Sequence, residues 1–121
     1  MSNTERKYRS VLEANLFIDK VMEGLDVDKS YMGYYFIIDI MDLLINKNLH
    51  VRSFSREVYP IIAEKYDKKL MSIERDIRNF IDKNWNEKMK NGLSQFWSCG
   101  DKPTCCKFIF MLKNYILSKV A

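Results

Sequence analysis

Apolar residues recur at Val11, Ala14, Ile18, Met22 and Leu25, the 3.6-residue spacing of a helix with one buried face. Ser10 and Glu13 form an S-x-x-E capping box ahead of this run, and Gly24 is placed to end it. The pattern predicts a first helix over about Val11 to Glu23. A second stretch, about Tyr31 to Lys47 with Ser30 as candidate N-cap, carries charges only at Asp39, Asp42 and Lys47. Apolar residues on almost every side predict the buried central helix of an all-α domain.

A third helix is predicted over Ser55 to Tyr66, with Phe54, Val58, Ile61 and Ile62 on its apolar side. Pro60 removes a backbone donor in its middle, so either the helix kinks or two short turns meet at Tyr59. Asp67-Lys68-Lys69 makes a short polar break before a fourth helix, about Leu70 to Trp85. The fifth runs from about Cys105 to Lys119, with Thr104 as N-cap and Pro103 just outside it. Asn86 to Pro103, holding Gly92 and Gly100, reads as a loop. Only 4 Gly and 2 Pro in 121 residues argue against a turn-rich β architecture. The expectation is an all-α, compact domain of five to six helices over 11–121, behind a flexible tail at 1–10.

Charge adds a direction to this picture. The net charge is +4, but residues 52–121 hold 14 basic and 8 acidic side chains while residues 1–51 hold 6 and 8. An anionic partner should meet the second half of the chain. The polar N-terminus has no apolar stretch of a secretory signal, and Asp39 and Asp42 interrupt the longest apolar run, so no membrane span is expected. Cys99, Cys105 and Cys106 make no C-x-x-C pair, and free thiols in a reducing cytoplasm are the expected state. Cys105 falls at a helix N-terminus, where thiolate is favoured. His50, the single histidine, has no partners at metal or catalytic spacing, and no phosphate loop or nucleophile motif is present. No cofactor, metal or enzymatic activity is expected.

The third and fourth helices, three residues apart, form an αα corner, of which helix-turn-helix is one use. On the fourth, Leu70, Ile73, Ile77, Phe80 and Ile81 share one arc, which must face the core. Lys68, Met71, Ser72, Arg75, Arg78 and Asn79 fall opposite. Arg offers a planar fork for phosphate oxygens or the guanine edge, and Asn can pair with adenine. The same face, with Glu74 and Arg78 as an i,i+4 pair, also reads as an ordinary solvated helix surface.

The run VYPIIAEKYDKKLMSIERDIRNFIDKNW, Val58 to Trp85, resembles the signature of the C-terminal effector domain of the stage-zero sporulation protein A family. Tyr59, Pro60, Ile62, Ala63, Glu74, Arg75, Ile77, Arg78, Ile81 and Trp85 carry the likeness without a gap. Gly33-Tyr34 upstream, and Lys102-Pro103-Thr104 with Phe108-Ile109 downstream, extend it to roughly residues 12–119. The resemblance implies a helix-turn-helix domain that binds duplex DNA and regulates transcription, its second helix entering the major groove. Carried over, Glu74, Arg75 and Arg78 would contact bases or backbone, and Lys65 and Lys68 would lie near phosphates.

The chain departs from that pattern in three ways. Ser72 stands where the family has an Arg, which predicts an altered or relaxed target. Lys68 and Lys69 replace small hydroxyl residues, which shifts the balance toward backbone attraction. The family's regulators begin with a phosphoacceptor receiver, and with about ten residues ahead of the first helix none is expected here. The expected partner is double-stranded DNA. The alternative is a protein-interaction module that pairs with itself or with a full-length sporulation regulator.

Overall fold

The computed structural model describes residues 15–96 and 101–120. The predicted tail, the Ser10–Glu13 capping box, Trp97 and Cys99 lie outside these residues. Among the described residues six α-helices follow in order: α1 (Leu16–Glu23), α2 (Met32–Met41), α3 (Tyr59–Tyr66), α4 (Leu70–Asn84), α5 (Glu87–Leu93) and α6 (Cys105–Ser118). Wider π-type turns cover Asp42–Asn46, continuing α2, and Phe54–Val58, leading into α3. No strand occurs among the described residues, and none of their helices is long and apolar enough to cross a membrane.

As its composition predicts, α2 is the centre. Gly33, Tyr34 and every residue from Phe36 to Met41 are buried. Around it lie α1, α3, α4 and α6, with α4 its most extensive neighbour. Gly33 sets the distance between those two helices. A Cβ there would stand 2.2 Å from the Asp76 carbonyl oxygen and 2.9 Å from the Phe80 Cβ, so only glycine lets the backbones approach this closely.

The structure corrects several boundaries. Tyr31, not Ser30, occupies the N-cap position of α2 and makes no side-chain cap. The Ser30 amide is instead folded back onto Asp28 Oδ1 at 2.9 Å, a local turn that competes with capping. At Pro60 the second alternative holds: the turn Phe54–Val58 ends and α3 begins at Tyr59, with the proline in the first helical turn, where no N–H is needed. The fourth helix ends at Asn84, one residue before Trp85.

The stretch Asn86–Pro103 is not one loop, because it contains α5. The Asn86 side chain caps that helix by accepting from the Met89 amide at 2.8 Å. Gly92, which reads as a breaker, serves packing instead: a Cβ there would meet the Leu25 Cδ2 at 2.5 Å. Thr104 caps α6 as expected, taking the Lys107 amide.

Gly33→Ala should cost about 2 kcal/mol, overpacking a close helix contact against the small propensity gain of alanine. Urea unfolding followed by circular dichroism checks it; an unchanged midpoint would mean that α2 and α4 can part without penalty.

Candidate nucleic-acid interface

The helix-turn-helix corner is closed by backbone alone. Asp67 adopts a left-handed conformation, φ 52° and ψ 52°. The Lys68 amide donates to the Ala63 carbonyl at 2.9 Å and the Asp67 amide to the Glu64 carbonyl at 3.3 Å. This pair of bonds is a Schellman motif, which ends α3 and turns the chain within three residues. At the other end of α3, Glu57 accepts the amides of Ser53 (2.9 Å) and Arg52 (2.5 Å). Those two bonds hold its carboxyl below the usual range.

The corner is anchored to the core through one acid. Asp39, in the middle of α2, is 7% exposed. Its carboxylate accepts from Lys65 Nζ at 2.7 Å and from the Tyr66 hydroxyl, both on the last turn of α3. Sequence periodicity misses this link because the partners lie 26 and 27 positions apart. A lone acid in an apolar helix is its one visible signal. Asn84, also buried, ties the far end of α4: its Oδ1 takes the Asp28 amide at 2.7 Å and its Nδ2 donates to the Phe80 carbonyl at 2.9 Å.

These anchors present α4 with a fixed orientation. Ile73, Ile77, Phe80 and Ile81 face inward and are buried, as predicted. Leu70, assigned to the same arc, is 41% exposed, because the first residue of α4 precedes the stretch that α2 covers. The outer side carries Arg75 at its middle, with Ser72 and Asn79 to one flank and Glu74 and Arg78 to the other. Lys68 and Lys69 border its start. Met71 projects at 84% exposure from this basic face. Its thioether is the kind of apolar group that can meet a thymine methyl.

The predicted set is thus brought together in part. Lys68, Lys69, Ser72, Arg75 and Asn79 share one surface with Met71. Arg75 is loosely held, its Nε 3.7 Å from Asp76 Oδ1. Arg78 is engaged by Glu74 at 2.8 Å, and the pair looks toward the start of α6. Lys65 spends its ammonium on Asp39, which gives it an internal role as well as its place beside the corner.

Cys105 does not behave as its helix position suggests. Burial pushes its thiol up, and Arg78 nearby offsets this only in part. Burial raises the Cys106 thiol as well. Among the described residues no group of three His, Cys, Asp or Glu could hold a metal ion.

A family model described as sporulation initiation factor Spo0A C terminal matches residues 18–116. No solved structure matches the chain.

Two outcomes are expected. Asp39→Ala should lower stability by about 2–3 kcal/mol, since it removes the buried acceptor shared by the Tyr66 hydroxyl and the Lys65 ammonium; equal thermal midpoints would remove Asp39 as the anchor. Iodoacetamide should alkylate Cys105 and Cys106 more slowly at pH 7 than it alkylates free cysteine, because a raised thiol pKa leaves less thiolate. Peptide mass spectrometry across pH reads this, and rates matching free cysteine at pH 7 would contradict it.

Proposed function

As the chain belongs to the family of C-terminal domains of sporulation initiation factor Spo0A, we propose that it binds duplex DNA through α3 and α4 and regulates transcription. The observation that carries this reading is the outer face of α4. It is basic and open to solvent, and the opposite side of the same helix is pinned by Gly33 against α2. A rigid helix with donors along one side can enter a major groove without reordering.

Affinity would come from Lys68 and Lys69, with Lys65 behind them, as cations beside phosphates. Readout would come from Ser72, Arg75 and Asn79, with Arg78 and Glu74 on the flank. Arg78 must leave Glu74 to reach a base, whereas Arg75 has little to give up. Ser72 offers a short hydroxyl and no fork, which favours a target less strictly read at that position. Such a regulator acts where the chromosome is, in the cytoplasm.

A second reading is supported by Ile61 and Leu70, 42% and 41% exposed near the same corner. In it the chain pairs with a second copy or with a full-length sporulation regulator. Gel filtration of the chain alone and mixed with such a regulator separates the two, since DNA binding by a monomer that ignores the regulator excludes pairing.

Fluorescence anisotropy on duplex fragments is the direct test. Affinity should fall steeply between two ionic strengths, and Arg75→Ala with Arg78→Ala should weaken binding about a hundredfold, at ~1–3 kcal/mol for each arginine removed. Absence of binding at low salt would end the DNA reading.

A further inference from the structure

Between the start of α3, the Glu74–Asp82 side of α4 and the N-terminus of α6 lies an open cleft of about 1090 Å³. That is the size of a small-molecule site. Phe54, Ile81, Phe96, Phe110 and Met111 supply its apolar lining, and Phe110 remains 62% exposed. Its charged lining is Arg52, Arg78, Lys102 and Lys107 against Glu74 and Asp82, an excess of two positive charges. Lys102 bonds Asp82 across one edge.

The polar end is the first turn of α6. The amides of Cys105 and Cys106 have no acceptor within their own helix, as for the first residues of any helix, and they sit at its positive end. A second observation points to the same place. Tyr59 is only 3% exposed and lines the cleft, yet its buried hydroxyl has no hydrogen-bond partner of good geometry. A polar neighbour is the Cys106 thiol, a weak donor and acceptor. Burial, helped by the nearby Glu74 carboxylate, pushes the ionisation of Tyr59 and of both thiols to higher pH, so all three stay neutral, while Arg78 holds Glu74 in an ion pair at 2.8 Å.

We infer that this cleft binds a small organic anion with an apolar body. The acidic head meets the Cys105 and Cys106 amides and the Tyr59 hydroxyl, and the body lies on Phe96 and Phe110. A DNA phosphate would leave the aromatic lining unused, and the positive lining disfavours a metal cation. Arg78 belongs both to this cleft and to the outer face of α4. Occupancy therefore draws on the same guanidinium as DNA binding, and this last step rests on the DNA reading above.

The probe is 8-anilinonaphthalene-1-sulfonate, with N-phenyl-1-naphthylamine as the same skeleton lacking the acid. The full chain, without DNA, is titrated and followed by amide NMR. The sulfonate should saturate one site and shift the Cys105 and Cys106 amides. Tyr59→Phe should weaken it about tenfold, the loss of one hydrogen bond to a charged group. Phe110→Asp, at an exposed position, should abolish binding while circular dichroism stays unchanged. Equal binding of the uncharged skeleton, shifts spread through the core, or indifference to Phe110→Asp would overturn the site. In a separate arm, saturating sulfonate should weaken duplex binding. Unchanged duplex affinity would overturn the shared use of Arg78 alone, and absence of duplex binding would overturn the DNA reading alone.

Discussion

The distance between two helix backbones governs this fold. At Gly33 the α2 backbone comes so near the Asp76 carbonyl of α4 that no side-chain carbon fits between them. Close approach brings Tyr34 within an aromatic contact of Phe80, ring centroids 5.9 Å apart, and Phe80 in turn meets Phe108 of α6 at 6.4 Å. One contact without a side chain thus aligns three helices. It also fixes the rotation of α4, because Ile73, Ile77, Phe80 and Ile81 can face α2 in only one setting. The basic side of α4 is turned to solvent as a consequence of packing, before any partner is considered.

Asp39 does for α3 what Gly33 does for α4, by different physics. A buried carboxylate is tolerated only when its oxygens are satisfied, and Lys65 and Tyr66 satisfy both. Hydrogen bonds are directional where apolar packing is not, so this acid sets the angle of a short helix that has few buried residues of its own. The two anchors sit on the same central helix, and the angle between α3 and α4 is therefore held from one side. A domain that presents a pair of helices to a rigid partner needs that angle held without the partner present.

Much of this is legible in the residues. The order of helices, the central place of α2 and the inner arc of α4 from Ile73 onward follow from apolar spacing, and Thr104 announces its own cap. What cannot be read depends on contacts between distant residues or on exceptions to local rules. Two buried anchors, Met89 and Leu93, make too short a pattern to reveal α5, and Gly92 conceals it further because its function is to admit Leu25. The role of Lys65 is invisible because its acid lies on another helix. Arg75 and Arg78 look equivalent in sequence, one turn apart, and only the structure shows that one is loosely held while the other is paired. Cys105 departs from expectation for a related reason. A helix start favours thiolate, but the depth at which that start is buried is a property of the assembled fold.

The corner at Asp67 separates two tasks that many turns combine. Its closing bonds run between main-chain atoms of Ala63, Glu64, Asp67 and Lys68, and the single conformational demand falls on Asp67. The side chains at 68 and 69 are left without a duty in folding. Substitution there can change what the corner meets while the geometry is inherited intact. The charge carried at 68 and 69 is then open to change in single steps, because neither side chain caps or closes the turn.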